Sequence, residues 1–478
     1  MTDPARFDSN GIEASPPNTN HTRLDRVPWK TIFAYGAPGT GAGYMYILVL
    51  LYVMKFSTDV LLIAPAVMGI IFSASRIWDA ISDPVVGYLS DKTTLKFGRR
   101  RSWILGSIIP IALTFVMVFS PPAELSDGEL IAWMAVAIIG FYSAMTLFFV
   151  PHLSLGAELS VNYHERSRLF GMRHTFYTFG SILSLITMYF LIEAEVEGTA
   201  AVRETARELA IYSVIVMAVL TIYMTVTLDE RKEFQGRLNS SAFEAFSDVW
   251  KNQHARLLIL VTFIENIGAA AIGVLTLYVA QYVVGAPQWS VFIILAYMVP
   301  SAFTVPLWIP LSRRIGKIRL WMMSMYATAF SFGGMFLLPF IESTNARLTL
   351  IITMAIIAGT AAGVGGTVAP SLQGDVIDYD EYKSGERKEG SYFAAWNFVY
   401  KGAMGVMLLL TGFILEFAGF VPNQEQSFQV KMAMVSLYGL FPLVCYIIGA
   451  LLFSRFKLTE KEHTRIRAVL QARAEQTQ

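Results

Sequence analysis

Residues Ala64–Lys92 read APAVMGIIFSASRIWDAISDPVVGYLSDK. Ala64–Ser90 exceeds the roughly 20 residues that a helix needs to cross a bilayer, and it ends on a charged pair. Yet it carries Arg76, Asp79 and Asp83 in its interior. A carboxylate at the bilayer centre costs on the order of 2.5–3.5 kcal/mol on insertion scales. If Asp91 marks the end of the span, a rise of about 1.5 Å per residue sets Asp83 about 12 Å deep and Asp79 about 18 Å deep. At i,i+4 the two share one helix face. Both stay ionised only if something positive lies between them. A small cation or a proton is the natural candidate, with Ser82 offering a hydroxyl and Pro84 freeing the carbonyl of Ala80. The other reading is that Arg76 or another basic side chain neutralises the pair and merely locks helices together. Arg76 reaches only part of it.

Working outward, the 478-residue chain is 54% hydrophobic and 15% charged, against about 25% charged in an ordinary soluble domain. Apolar stretches recur at Thr31–Phe56, Ala64–Ser90, Trp103–Phe119, Leu130–Pro151, Leu169–Ile192 and Leu209–Thr227. They resume at Leu257–Val284, Trp289–Leu311, Leu320–Ile341, Leu348–Leu372, Tyr392–Phe420 and Val430–Phe453. Open sheets cannot face lipid, so spans of this length are helices. The expected fold is an all-α polytopic membrane protein of twelve transmembrane helices in two six-helix halves. Residues 1–30 form an N-terminal tail, 31–228 the first bundle, 229–256 a central linker, 257–455 the second bundle and 456–478 a C-terminal tail.

Lys92, Lys96, Arg99, Arg100 and Arg101 share one short loop, and Arg313, Arg314, Lys317 and Arg319 another; Arg231, Lys232 and Arg237 of the linker and Arg455, Lys457 and Lys461 near the C-terminus fall on the same side. The alternate loops, Pro121–Glu129, Glu193–Glu208 and Val421–Ser427, are acidic or nearly neutral. The positive-inside rule then puts the basic loops and both termini in the cytoplasm, in an inner (plasma) membrane. Met1–Lys30 lacks the apolar core of a signal peptide. The single cysteine, Cys445, excludes an intrachain disulfide.

The halves echo each other. PVVGYLSDK (Pro84–Lys92) ends the second span and PLWIPLSRR (Pro306–Arg314) ends the eighth, as a six-helix duplication would produce. Lys401 lies about 13 Å past Tyr392, at mid-membrane. Glu265 lies about 12 Å into the seventh span and reads equally as a solute or proton-relay group or as an interhelical hydrogen bond. His152 reads as a packing hydrogen bond. Asp375, Asp378, Asp380 and Glu381 read as a gate or as a solvated rim. The glycine runs Gly36–Gly43 and Gly363–Gly366 suit close helix packing; no Lys-Ser/Thr follows to make a phosphate loop. No metal-spaced Cys/His cluster and no Gly-x-Ser-x-Gly elbow is present, so no catalysis, cofactor or nucleic-acid partner is expected.

Arg76-x-Trp78-Asp79-Ala80-x-x-Asp83-Pro84 resembles the helix-two motif of the glycoside–pentoside–hexuronide:cation symporters of the major facilitator superfamily. The resemblance continues through Tyr35-Gly36, Thr58-Asp59-Val60, Gly98-Arg99 with Trp103, Glu165-Arg166 with Arg173, Asp375-Val-Ile-Asp378-Tyr379 and Lys401-Gly402. It implies a secondary active symporter working by alternating access, a monomer in the lipid bilayer that moves a small solute with sodium, lithium or a proton. It implies a cation site of Asp79, Ser82, Asp83 and Thr146, with Ser82 in place of the family's Asn. It implies Lys401 and Arg173 as solute anchors, although His174 fits the second role if the register shifts by one. It also implies an inner gate of Arg166, Asp375 and Arg387. Ala42, Gly43, Phe149, Leu153 and Gly366 stand where the family's galactoside carriers place polar or aromatic sugar-gripping residues. The implied solute is therefore an acidic glycoside or an anionic amphiphile, with a sodium-dependent lysolipid transporter as the alternative. A membrane-embedded enzyme or a non-transporting sensor is the rival class, and neither explains the paired halves as well.

Overall fold

The computed structural model describes residues 26–95, 97–160, 163–230, 249–385 and 389–476, and the regular elements among the described residues are all helices. The first half runs α1 (Trp29–Val60), α2 (Pro65–Lys92), α3 (Arg99–Phe119), α4 (Asp127–Glu158), α5 (Tyr163–Ala194) and α6 (Thr199–Thr227). The second runs α7 (Gln253–Val284), α8 (Pro287–Phe303 with Val305–Ile315), α9 (Lys317–Phe340), α10 (Thr344–Ser384), α11 (Glu389–Phe417) and α12 (Phe428–Phe453). A last helix, α13 (Glu460–Gln476), follows. Among the described residues ten helices are long and apolar enough to cross a membrane, and the bent pair that makes up α8 is an eleventh. The charged α2 falls outside that set, although its 28 residues reach about 42 Å.

Within the first half α1 packs on α5 and α6, α2 on α4, and α3 on α4 and α6; within the second, α7 packs on α11 and α12, α8 on α10, and α9 on α10 and α12. The halves meet along α2 with α11, α1 with α7, and α5 with α8. Small residues allow the closest crossings. A Cβ on Gly180 of α5 would stand 1.9 Å from the Thr40 carbonyl of α1, and one on Gly412 of α11 would stand 2.3 Å from that of Pro65. Side chains there would force the helices apart.

The basic end of the first half is tied by ion pairs. Arg99 and Arg100 both reach Glu158, at 2.7 and 3.3 Å, and Arg100 also bonds Asp91. Glu230 accepts from the backbone N–H groups of Arg99, Arg100 and Arg101 at 2.7–2.8 Å, so a carboxylate caps the positive end of α3.

Several elements outrun their apolar cores. α6 starts at Thr199 rather than Leu209, α10 runs on to Ser384 rather than stopping at Leu372, and α4 continues through Pro151 to Glu158. The acidic residues Glu204 and Glu208 are therefore helical, since a bundle supports a polar turn beyond the lipid. The echoed helices differ. α2 stays continuous through Pro84, whereas α8 bends by 53° at Thr304. There the Thr304 hydroxyl bonds the Pro300 carbonyl at 2.7 Å, and the Trp308 indole donates to Thr360 O of α10 at 3.1 Å.

Candidate functional site

α2 turns Asp79 and Asp83 toward the seam between the halves, and two further elements meet them there. Thr146 Oγ1 of α4 lies 2.8 Å from Asp79 Oδ1 and 3.0 Å from Asp83 Oδ1, sharing its one proton between them. Lys401 Nζ of α11 lies 2.8 Å from Asp79 Oδ2 and 2.5 Å from Asp83 Oδ2. The positive charge that the carboxylate pair demands is thus supplied by the chain itself, from the opposite half. Arg76 Nη1 stands 4.0 Å from Asp79 and donates to the Tyr46 hydroxyl at 3.2 Å. Its guanidinium stacks 3.8 Å over the Tyr142 ring, a cation–π contact that partly replaces lost hydration. Two acids and two bases leave the cluster neutral, which is what makes burying four charges tolerable. Trp78 steadies the helix by donating to Ser143 of α4 at 2.8 Å.

Exposure gives the cluster a direction. The Asp79 side chain is 6% exposed and that of Asp83, one turn nearer the basic end, is 33% exposed. Because Asp83 faces α11, that opening is into the space between the halves.

Above the cluster the opposite end is sealed. Tyr282 of α7 donates to Asp59 of α1 at 2.7 Å, and the hydroxyls of Thr58 and Tyr278 meet at 2.7 Å. Asn423 donates to the Asp59 carbonyl at 2.7 Å. Lys55, wholly buried, pairs with Asp59 at 3.2 Å and with Glu195 at 2.7 Å. Ala66 N–H on α2 donates to Glu416 of α11 at 3.0 Å. Thr58-Asp59 stood out in the sequence as a motif only; its partners in the second half carry no sequence signal.

The other expected site residues divide. Ser82 is not drawn into the cluster: its hydroxyl donates to the Asp79 carbonyl of its own helix at 3.2 Å. Arg173 lies among Tyr35, His152 and Tyr177, with its Nε buried and unpartnered. His174 is exposed. Phe149 packs edge-on to Tyr46, Leu153 is exposed, and Gly366 has open space where a Cβ would be. Glu265 sits elsewhere, inside the second bundle: it accepts from Trp321 of α9 at 3.2 Å and a Cβ on Gly449 of α12 would touch it. Of its two readings, the contact present is the interhelical hydrogen bond. His152 is likewise a packing group, bonded through Nε2 to the Tyr35 carbonyl at 2.9 Å.

At the expected inner gate, Asp375 pairs within its own half, with Lys317 at 2.8 Å and with His463 of α13 at 3.6 Å. Arg387 and the side chain of Arg166 lie outside the described residues. What the sequence reading missed is a group of tyrosines beside the cluster. Tyr46 packs edge-on to Tyr142 with ring centroids 6.0 Å apart, both meet Arg76, and Tyr177 and Tyr400 lie near Tyr46. Their spacing within otherwise apolar spans was the available signal.

Two helical bundles meeting at a charged seam, sealed at one end, define a membrane transporter of the major facilitator class. The chain belongs to the MFS/sugar transport protein family, whose model matches residues 34–460. It is 25% identical to the inner membrane symporter YicJ of Escherichia coli, over 89% of this chain and 91% of that one. It is 28% identical to the isoprimeverose transporter of Lactiplantibacillus pentosus, over 94% and 93%. It is 24% identical to the sodium-dependent lysophosphatidylcholine symporter 1 of Xenopus tropicalis, over 88% and 85%. Among solved structures, the bacterial homologue of the lysosomal transporter Spinster superposes with a TM-score of 0.69 at 13% identity, over 91% and 98%. As a member of that family the protein is a membrane transporter.

Proposed function

We propose that the coupling cation binds to Asp79, Asp83 and Thr146 and that Lys401 holds its place while the site is empty. The supporting observation is Lys401 Nζ, within 2.8 Å of both carboxylates. A cation entering between them displaces the ammonium, and the count of charges then drives coupling. With the cation bound, Asp79, Asp83 and Arg76 remain balanced, and Lys401 is left as a free ammonium in a low-dielectric seam. An unpaired buried charge is strongly unfavourable. A solute with an anionic group restores the balance, so cation and solute each raise the other's affinity. Sodium is the first choice, because a carboxylate pair with a hydroxyl is an all-oxygen site; lithium and the proton are the alternatives. Ser82 joins only if its hydroxyl turns away from the Asp79 carbonyl.

The solute is read as an acidic glycoside or anionic amphiphile, held by Lys401 and Arg173 beside the tyrosines. A lysolipid is the second reading, favoured by the relative named as a lysophosphatidylcholine symporter. Counting α2 makes twelve spans, the basic end faces the cytoplasm, and the monomer works in an inner membrane without catalysis or bound cofactor. Opening and closing of the basic end would involve Arg166, Asp375 and Arg387, in competition with the Lys317–Asp375 pair.

Purified protein in sealed vesicles tests this. Uptake of an acidic glycoside should follow an imposed sodium gradient. Asp79→Asn and Asp83→Asn should each abolish accumulation while leaving insertion intact. Accumulation by both variants would remove the cation assignment. Binding without uptake would make the chain a sensor.

A further inference from the structure

The second bundle holds a cavity that nothing above uses. It occupies about 180 Å³ and is walled almost entirely by apolar side chains. Gly273 of α7, Ala355 of α10 and Ala269 of α7 leave the space that larger side chains would fill, and Ile47 and Leu51 of α1 close it from the first half. It therefore lies in the second bundle and reaches the seam between the halves. Its position relative to the charged cluster is also marked. Ile47 follows Tyr46, the partner of Arg76. Tyr297, on its rim, interacts with Tyr400, the residue before Lys401.

Resting on the proposed solute site, we infer that this cavity receives the apolar group of the transported solute and limits that group to about the size of a phenyl ring. A dry apolar cavity of about 150 Å³ admits benzene. A sixteen-carbon chain is far larger than benzene and does not fit the same space. Aryl and short-alkyl glycosides with an acidic headgroup fit; long-chain lysolipids do not. Full burial of a ring-sized apolar group contributes about 1.5–3 kcal/mol, a gain of roughly ten-fold or more in affinity.

The test compares methyl, phenyl and hexadecyl glucuronides, with sodium, by calorimetry on the purified full chain. The wild type should bind phenyl glucuronide at least ten-fold more tightly than methyl glucuronide, and hexadecyl glucuronide no more tightly than phenyl. Ala269→Leu and Ala355→Leu, which fill the cavity, should each cancel the phenyl gain and leave methyl glucuronide unchanged. A phenyl gain that survives both substitutions, or a further gain with the long chain, overturns the inference. Benzene gives a readout independent of the headgroup: it should raise the unfolding temperature of the wild type and not of the filled variants. Equal response of all three overturns the inference even if glucuronides are transported. Absence of binding by every glucuronide overturns the anionic-glycoside reading and this inference with it, whereas methyl glucuronide binding without a phenyl gain overturns the inference alone.

Discussion

Lys401 and Thr146 are the residues through which the carboxylate pair is read. Asp79 and Asp83 share both: a hydroxyl at 2.8 and 3.0 Å and an ammonium at 2.8 and 2.5 Å. Removing the ammonium leaves two like charges 4 residues apart facing each other. Lys401→Ala should therefore tighten cation binding in the absence of solute, because the built-in competitor is gone, while uncoupling it from solute. Isothermal titration with sodium, with and without solute, measures this; unchanged sodium affinity would mean that Lys401 does not occupy the cation's place. Thr146→Val keeps shape and removes the hydroxyl. A hydroxyl bound to a charged group contributes about 1.5–3 kcal/mol, so sodium affinity should fall by roughly ten-fold or more with folding unaffected. Loss of folding instead would mark Thr146 as a structural tie between α2 and α4.

At the scale of elements, α1 against α5 and α2 against α11 are held by glycines that face backbone. Gly180 meets the Thr40 carbonyl, and Gly412 meets that of Pro65. Overpacking a fitted core costs about 1–3 kcal/mol. Here the obstacle is backbone, which cannot rotate aside, so the cost should reach the upper end. Gly180→Val strains a contact within one half, and Gly412→Val a contact between halves. The first should lower the unfolding temperature in either conformation. The second should do so mainly in the form closed at the opposite end, and should favour opening there. Equal behaviour of both in a thermal-shift assay, with and without ligand, would count against that division. α13 shows a different attachment: His463 reaches Asp378 at 2.9 Å and Arg467 reaches it at 3.5 Å. These are polar contacts made at the rim of α10, outside the lipid.

For the whole molecule, the layered closure of the opposite end is the feature that decides which side reaches the charged cluster. Asp59 is its hub, accepting from Tyr282 and pairing with Lys55, with Asn423 on its carbonyl. Tyr282→Phe removes one bond to a carboxylate across the halves, about 1.5–3 kcal/mol, and should raise the population open at that end by roughly ten- to a hundred-fold. A cysteine introduced at Ile47, with Cys445→Ser as background, reports it: labelling by an impermeant maleimide from that side should rise accordingly. No change in labelling would show that the closure does not depend on this bond.

The class of protein, the order of the spans and the placement of Asp79, Asp83 and Lys401 as charges inside spans were legible in the chain, because lipid cannot solvate a charge or an open backbone group. Apolar length then betrays a span, and a charge inside one betrays a site. Thr146 entered through resemblance alone, since a threonine in an apolar helix carries no cost that marks it. Which charges meet was decided only by the fold. Lys401 lies 318 residues from Asp83, and no local rule connects them; Ser82, adjacent in sequence, turns to its own helix instead. Glu265 looked like Asp79 from its depth, yet the packing of α7 on α9 and α12 points it into the bundle and away from the seam. Depth in the membrane follows from position along a helix, but the partner a side chain meets follows from how that helix is rotated against its neighbours, and that rotation is set by the close packing of all of them together.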